Sequence, residues 1–370
     1  MQGDILKQLR SSRSSAKCVT LELAKFPLRL RGAIVASYGK VSKEDTYILV
    51  ARLGSTCGYG EANTIYRTRV ESETRIINDV AKFAAFAQSQ GGLVDAFQVH
   101  AFAVCYLKTM TARALVTMAW ADLAMRLAGV RLRVAKAVKP EEVYRTNISA
   151  QDEATLADLY HNCHKIKVKV NGGKSFRRLT RELAAIQSIT PRRLNISIDA
   201  NRTLSVDEAV SLTKMWQRDY LISHFEDPFA DPRDNAELSA KTGLPIIGDD
   251  FIFGLSDFLK IGQYFDGINI KTSHVGSLWD LPSLISLAKE LNKKIVLGCD
   301  YNTSLAIVPV LPFASEAFAL EYDAPWLTEN DPFQGLPLIE NPKLLEKTTG
   351  FGLSTTKWYD MEKTVLWKYP

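Results

Sequence analysis

The chain has 370 residues, is 46% apolar and 24% charged, and carries a net charge of +5 at neutral pH. That is the profile of an ordinary globular protein, long enough for a large barrel and a smaller domain. The basic residues are scattered and no apolar run reaches membrane-spanning length, so neither nucleic acid nor a membrane is an expected partner.

Residues 1–17 contain Arg10, Arg13 and several serines but no secretory h-region. They read as a frayed tail, with a transit peptide as the alternative. Cys18, Cys57, Cys105, Cys163 and Cys299 form no C-x-x-C pair and no zinc spacing. Their odd number argues against a disulfide framework and for a reducing, cytoplasmic setting. Residues 18–54 alternate apolar and polar positions, as in Val19, Leu21 and Leu23 and again in Tyr47–Leu53, which predicts antiparallel strands. Leu28–Lys43 between them reads as a glycine-punctuated loop, and Gly58-Tyr59-Gly60-Glu61 as a turn. Residues 71–129 have helical periodicity. Ala112–Leu127 is apolar almost all round, which predicts a helix buried between domains. Residues 1–138 therefore read as an α+β domain.

From Glu142 the pattern becomes regular βα alternation. Strands are expected at Val143–Ser149, Lys165–Val170, Leu194–Asp199, Leu221–Glu226, Leu244–Gly248, Gly267–Lys271, Lys294–Gly298 and Phe318–Leu320. Ser205 with Glu208 is a capping-box start, and Asp231 or Asp234 can cap the helix after Glu226. So many repeats over 139–325 fit a (β/α) barrel better than an open sheet. No G-x-G-x-x-G or P-loop spacing follows a strand, so nucleotide binding has no support. Residues 326–370 lose the alternation, carry Pro332, Pro337, Pro342 and Gly350, and are expected to wrap back onto the first domain.

Three of these strands run into a carboxylate: Asp199, Glu226 and Asp249, each about one βα unit from the next. In a barrel they would stand side by side at the C-terminal rim, where such barrels keep their active sites. Three converging carboxylates repel unless a hard cation sits between them, and an all-oxygen set suits Mg²⁺ or Mn²⁺. Asp250, next in the chain, is expected to point elsewhere and not to be a direct ligand. Lys165, Lys167 and Lys169 alternate along one strand and so share its inward face. Lys167 and Lys169 are nearest the rim, and neighbouring ammonium groups lower each other's pKa, which favours a free amine able to act as a base. Lys271 ends another strand. Any one of these lysines alone would read as a solvated strand end; beside the carboxylates they read as catalytic. His274 reads as a packing or supporting group, His224 lies inside an apolar strand, and His161 and His164 precede the second strand, too far from its active end to act. Cys299 is near the mouth with no base beside it.

In order and spacing, Lys167-x-Lys169, Asp199-Ala200-Asn201, Phe225-Glu226-Asp227-Pro228, Gly248-Asp249-Asp250 and Ile270-Lys271 resemble the enolase superfamily, in its muconate-lactonizing-enzyme subgroup. Gly58-Tyr59-Gly60-Glu61 resembles that family's G-W-G-E, Met118–Leu123 its M-A-L-W-D-L helix, and Gly350-Phe351-Gly352-Leu353 its closing P-G-L-G. The resemblance covers nearly the whole chain after about residue 18. It implies an α/β fold: a modified (β/α)₇β TIM-type barrel under an α+β capping domain. It implies Mg²⁺ held by Asp199, Glu226 and Asp249, with Asn201 orienting a ligand. It also implies abstraction of a proton α to a substrate carboxylate, through an enediolate, by Lys169 and Lys271 on opposite sides, with Lys167 tuning Lys169. A small-molecule carboxylate is the expected partner and a homo-oligomer the expected assembly.

The fold does not settle the substrate. Glu321-Tyr322-Asp323 stands where dipeptide epimerases carry a D-x-D that holds the substrate ammonium, and Asn330–Gly335 also resembles that group. Cys299-Asp300-Tyr301-Asn302-Thr303-Ser304 departs from the M-x-E-S of relatives: Asn302 replaces the glutamate, and Asp300 is an extra acid that either binds a cation or is solvated. Asp300, Asn302, Glu321 and Asp323 are the candidate substrate contacts. The expected activity is racemisation or epimerisation of a dipeptide or amino-acid derivative. Ile270–Leu278 is similar to the I-K-P-S-x-x-G-S of o-succinylbenzoate synthases, so dehydration is the alternative, with muconate-type cycloisomerisation beside it. A non-catalytic binding protein on the same fold is a further alternative, against which the costly buried charges argue.

Overall fold

The computed structural model describes residues 19–334 and 349–369, apart from 38, 64, 67–68, 93, 135–137, 149–152, 161, 174–175, 356–357 and 359–360. The tail 1–17, Ser149, His161, Gly335, Pro337 and Pro342 lie outside the described residues.

The first sheet is antiparallel. Its strands β1 (Thr20–Ala36), β2 (Gly39–Leu53) and β3 (Thr56–Ala62) are joined at the far edge by the last strand of the chain, Thr364–Tyr369, which pairs with β1. Thr364–Tyr369 thus forms one edge of this sheet. Leu28–Lys43 is not a loop. β1 runs through it, pairing Arg29 with Lys43 and then Ile34 with Val41 across a register shift. Leu28 and Leu30 are buried while Arg29 and Arg31 are exposed, but the shift puts Ala33 and Ile34 both inside. A bulge that moves the alternation by one residue hid the strand from a period-two reading. Gly58–Glu61 is not a turn either; it lies within β3. Its glycines serve closeness: a Cβ on Gly58 would come within 2.3 Å of the Ala119 carbonyl oxygen, and one on Gly60 within 2.1 Å of that of Leu115.

Those carbonyls belong to the third of three helices, α1 (Glu73–Ser89), α2 (Ala96–Tyr106) and α3 (Met110–Leu127). Asp95 with Gln98 forms a capping box for α2, and Thr109 caps α3. α3 is buried on nearly every side, as its composition requires. Trp120 on it meets Phe83 edge-on at 5.1 Å and donates to the Val94 carbonyl, so its ring is packed and its N–H satisfied.

The second sheet is parallel and holds eight strands, here β4 (Arg145–Thr146), β5 (Lys165–Lys169), β6 (Asn195–Asp199), β7 (Leu221–Glu226), β8 (Ile246–Gly248), β9 (Gly267–Ile270), β10 (Lys294–Gly298) and β11 (Ala319–Glu321), in chain order. A parallel bridge between Val143 and Leu320 brings its two edges together as a nearly closed barrel. Helices between the strands cover the outside; the one over Val206–Trp216 starts at the expected Ser205–Glu208 box, and Asp231 caps the short turn after Glu226. Tyr144, Ile247, Val296 and Ala319 form an apolar layer inside the barrel. No helix among the described residues is long and apolar enough to cross a membrane, and Cys57, Cys105, Cys163 and Cys299 are free thiols.

One carboxylate ties the first sheet to the barrel. Glu61 on β3 is fully buried and accepts from Thr46 Oγ1 on β2 and, across the interface, from Asn302 Nδ2, the Thr303 amide and hydroxyl and the Ala306 amide. Burial pushes its carboxyl up to about 7, against the pull of the Thr303 donors. A folded-state pKa raised above the unfolded value means that the unfolded chain loses this proton first as pH rises. Stability relative to the Glu61→Gln variant should therefore fall between about pH 4.5 and 7, by roughly 3 kcal/mol in all. Urea denaturation of both proteins across that range checks it; a constant difference would contradict the assignment. Gly60→Ala should cost roughly 2 kcal/mol or more by the same measurement, since the backbone of α3 has to move to admit the methyl group.

Candidate active site

The parallel register lines up the chemistry. Lys167, Ser197 and His224 are paired across β5, β6 and β7, and one step nearer the C-terminal ends so are Lys169, Asp199 and Glu226. Both rows face inward because strand side chains repeat every second residue. On β7 this needs a bulge: Ile222 pairs with Ile196 and packs on the outer core, whereas His224 pairs with Ser197. The extra residue turns His224 and Glu226 inside. On β8, Ile247 pairs with Glu226, so Asp249 stands two residues further toward the rim.

Asp199 and Glu226 are fully buried, Asp249 is 3% exposed, and Lys167 and Lys271 are buried with them. The Lys167 ammonium lies 2.5 Å from Glu226 Oε1, 2.7 Å from Glu321 Oε2 and 3.6 Å from Asp199 Oδ2. Lys169 pairs with Asp199 Oδ2. Lys271 lies 2.7 Å from Asp249 and 3.2 Å from Asp300. Each of the three carboxylates is thus faced by an ammonium group. Among the described residues, the donor sets whose atoms lie within 4.8 Å of each other are His224, Glu226 and Glu321, and Asp249, Asp250 and His274. Asp250 does not point elsewhere as expected: its carboxylate turns toward Asp249, because the Asp227 carboxylate holds the backbone amides of both residues, at 3.0 and 2.7 Å.

Electrostatics give the lysines a character that the sequence did not suggest. Burial favours the neutral amine of Lys167, but Glu226, Glu321 and Asp199 outweigh it and hold its pKa well above the ordinary value. Burial works the same way on Lys271 and is outweighed by Asp249 and Asp300. The expected mutual lowering by neighbouring ammonium groups is overridden at Lys167 by this ring of acids. Burial, with Glu321, Asp249 and Asp199 nearby, pushes Glu226 well up despite Lys167. Glu321 is held well down: burial opposes it, but Lys167 and His224 prevail.

The surroundings suit a hard divalent cation. Asp199, Glu226 and Asp249 stand on adjacent strand ends but do not form one set within 4.8 Å, since Glu226 and Asp249 fall in different sets and Asp199 in neither; Asp249 Oδ1 is buried without a hydrogen-bond donor, and lysine amines lie against the carboxylates. Asn201 donates its backbone and side-chain N–H groups to Asp199 Oδ1, which fixes that carboxylate's orientation.

Of the four candidate substrate contacts, Asp300, Glu321 and Asp323 line one cavity and Asn302 does not. Asp300 is neither loose nor solvated: Lys271, Ser273 Oγ at 2.7 Å and His274 Nε2 at 3.4 Å surround it. Asn302 spends its amide between the Asp300 backbone N–H and Glu61, so it supports the loop and does not line the cavity. Glu321 lines the cavity from the barrel side, bonded by Lys167, Ser197, His224 and Asn269, and makes no acidic pair with Asp323. Asp323 lines the cavity, with one oxygen on the Thr146 amide. Sequence reasoning missed Ser197 and Asn269, which had only their inward parity to mark them, and Asp227 and Glu61, whose roles are long-range hydrogen bonds.

Comparison with known proteins agrees with this geometry. Residues 150–357 match the family model described as Enolase C-terminal domain-like. An L-Ala-D/L-amino acid epimerase of Maribacter sp. is 25% identical over 345 residues, covering 89% of this chain and 97% of that protein. The match to one from Pedosphaera parvula, 27% identical, is confined to 158 residues, 42% of this chain and 45% of that protein. Among solved structures, a dipeptide epimerase from Cytophaga hutchinsonii, complexed with Mg and D-Ala-L-Val, superposes with a TM-score of 0.72 at 22% identity, covering 93% of this chain and 98% of that one.

Proposed function

The chain belongs to the enolase superfamily, in its muconate-lactonizing-enzyme subgroup, and from that premise we propose that it epimerises dipeptides by removing and returning the proton α to their carboxylate. The observation that carries the reading is the row Lys169–Asp199–Glu226 on β5 to β7, with Lys271 and Asp249 beyond it on the barrel mouth. Asp199, Glu226 and Asp249 would hold Mg²⁺ or Mn²⁺, with Asn201 steadying Asp199. When bound, such a cation supplies stabilisation of the negative charge that develops on the substrate carboxylate.

The lysines divide the remaining work. Lys169 and Lys271 take the α-proton from one side and return one from the other. Lys167, clamped between Glu226 and Glu321, serves as a fixed positive charge. Asp323 accepts the ammonium group of the substrate. The cavity is also lined by Asp250 and, beside Lys167, Lys169 and Lys271, has no arginine among its described lining residues, which favours neutral or cationic dipeptides over those with an acidic C-terminal side chain. Dipeptide substrates draw support from relatives named as L-Ala-D/L-amino acid epimerases.

Incubation in D₂O with Mg²⁺ and a dipeptide panel, followed by mass, should show α-deuteration. Excess chelator, Glu226→Gln, Lys169→Ala and Lys271→Ala should each abolish turnover. Asp323→Asn keeps an acceptor for the Thr146 amide but loses the charge, and should raise KM roughly tenfold. Full activity under chelation would remove the metal from the scheme. Turnover of the o-succinylbenzoate precursor without any dipeptide exchange would replace epimerisation with dehydration.

A further inference from the structure

Lys271 has a second carboxylate partner that the superfamily pattern of metal ligands and lysines does not account for. Asp300 follows β10 and reaches the Lys271 ammonium with Oδ1 at 3.2 Å. Its other oxygen accepts from Ser273 Oγ at 2.7 Å and faces His274 Nε2 at 3.4 Å. Its backbone N–H donates to Asn302 Oδ1 at 3.0 Å, and the Asn302 amide donates in turn to Glu61 at 3.3 Å. The Thr303 amide of the same loop and the Ala306 amide of the short helix Ser304–Ile307 that follows also end on Glu61. An unbroken run of hydrogen bonds therefore joins β3 of the first sheet to the amine of Lys271.

We propose that Asp300 is a positioning residue for Lys271, itself set in place by Asn302 and, through it, by Glu61. The inference rests on the reading that Lys271 works on the substrate. Asp249 also touches Lys271, but it is claimed by the metal set, and this leaves Asp300 as the carboxylate dedicated to the amine. Both Asp300 oxygens are engaged and its backbone is anchored, so it has the fixed geometry that holding a flexible four-carbon side chain demands. Loop 300–306 thereby makes the placement of one base depend on correct seating of the first sheet.

The test uses L-Ala-L-Lys and L-Ala-D-Lys in D₂O, with Lys271→Ala identifying the isomer whose proton Lys271 removes. Asp300→Asn should lower the maximal rate of α-deuterium incorporation with retention of configuration into that isomer roughly tenfold or more, with its KM within about threefold and retention exchange of the other isomer little affected. Ser273→Ala should act in the same direction by roughly threefold, and Asp300→Glu should recover part of the loss. Equal slowing of retention exchange in both isomers, or a change in KM alone, would overturn the proposal. Crystal structures of the wild type and Asp300→Asn supply a readout independent of turnover. The Lys271 amine should leave its place in the variant; an unmoved amine overturns the proposal. If neither dipeptide exchanges with the wild type, the epimerase reading fails on its own, and the position of the amine still decides this one.

Discussion

Buried negative charge at the barrel mouth is the constraint on which the rest of the structure depends. Asp199, Glu226, Asp249 and Glu321 lie out of water on neighbouring strand ends, and such groups are tolerable only when opposite charge and hydrogen bonds meet them. Lys167, Lys169 and Lys271 meet them, each against a different member of the set. The supply is short. Burial, with three other acids nearby, pushes the Glu226 carboxyl well up even with Lys167 beside it. Four carboxylates against three ammonium groups leave this set net negative.

The features that encode this site were legible because they are local and periodic. Alternation in Lys165–Lys169 put Lys167 and Lys169 on one face, and three apolar runs ending in Asp199, Glu226 and Asp249 announced themselves as strand ends. The barrel strands followed from the same periodicity to within a residue or two for most of them. What escaped was non-local or broke the period. The bulge near Gly32 moved the alternation of β1 and made a strand look like a loop. Gly58 and Gly60 looked like turn residues because glycine is common in turns; here a helix backbone presses on them, and no single sequence reveals what lies opposite. Glu321 looked like half of an acidic pair, but Lys167 and His224, distant in sequence, turn it inward.

The first sheet does more than cover the mouth. Leu30 from β1 lines the cavity, so this sheet contributes directly to the space a substrate would fill. Glu61 supplies the complementary constraint, since it gathers the Thr303 and Ala306 amides of the loop after β10. Asp331 does the same for Ser304 and Phe333. With its backbone donors spoken for, this loop carries Asp300 on a rigid support and not on a mobile one.

The bulge in β7 separates two parts of that strand which would otherwise have to agree. Below it the pairing of Ile222 with Ile196 belongs to the outer packing; above it His224 and Glu226 belong to the interior. Losing the extra residue would restore regular pairing while Glu226 kept its orientation. A one-residue deletion at Ser223 can therefore be absorbed there without turning Glu226 out. β5 has no such buffer: removing one residue between Lys167 and Lys169 would reverse the facing of one of them. A single-residue deletion should accordingly be tolerated at the β7 bulge and not within β5.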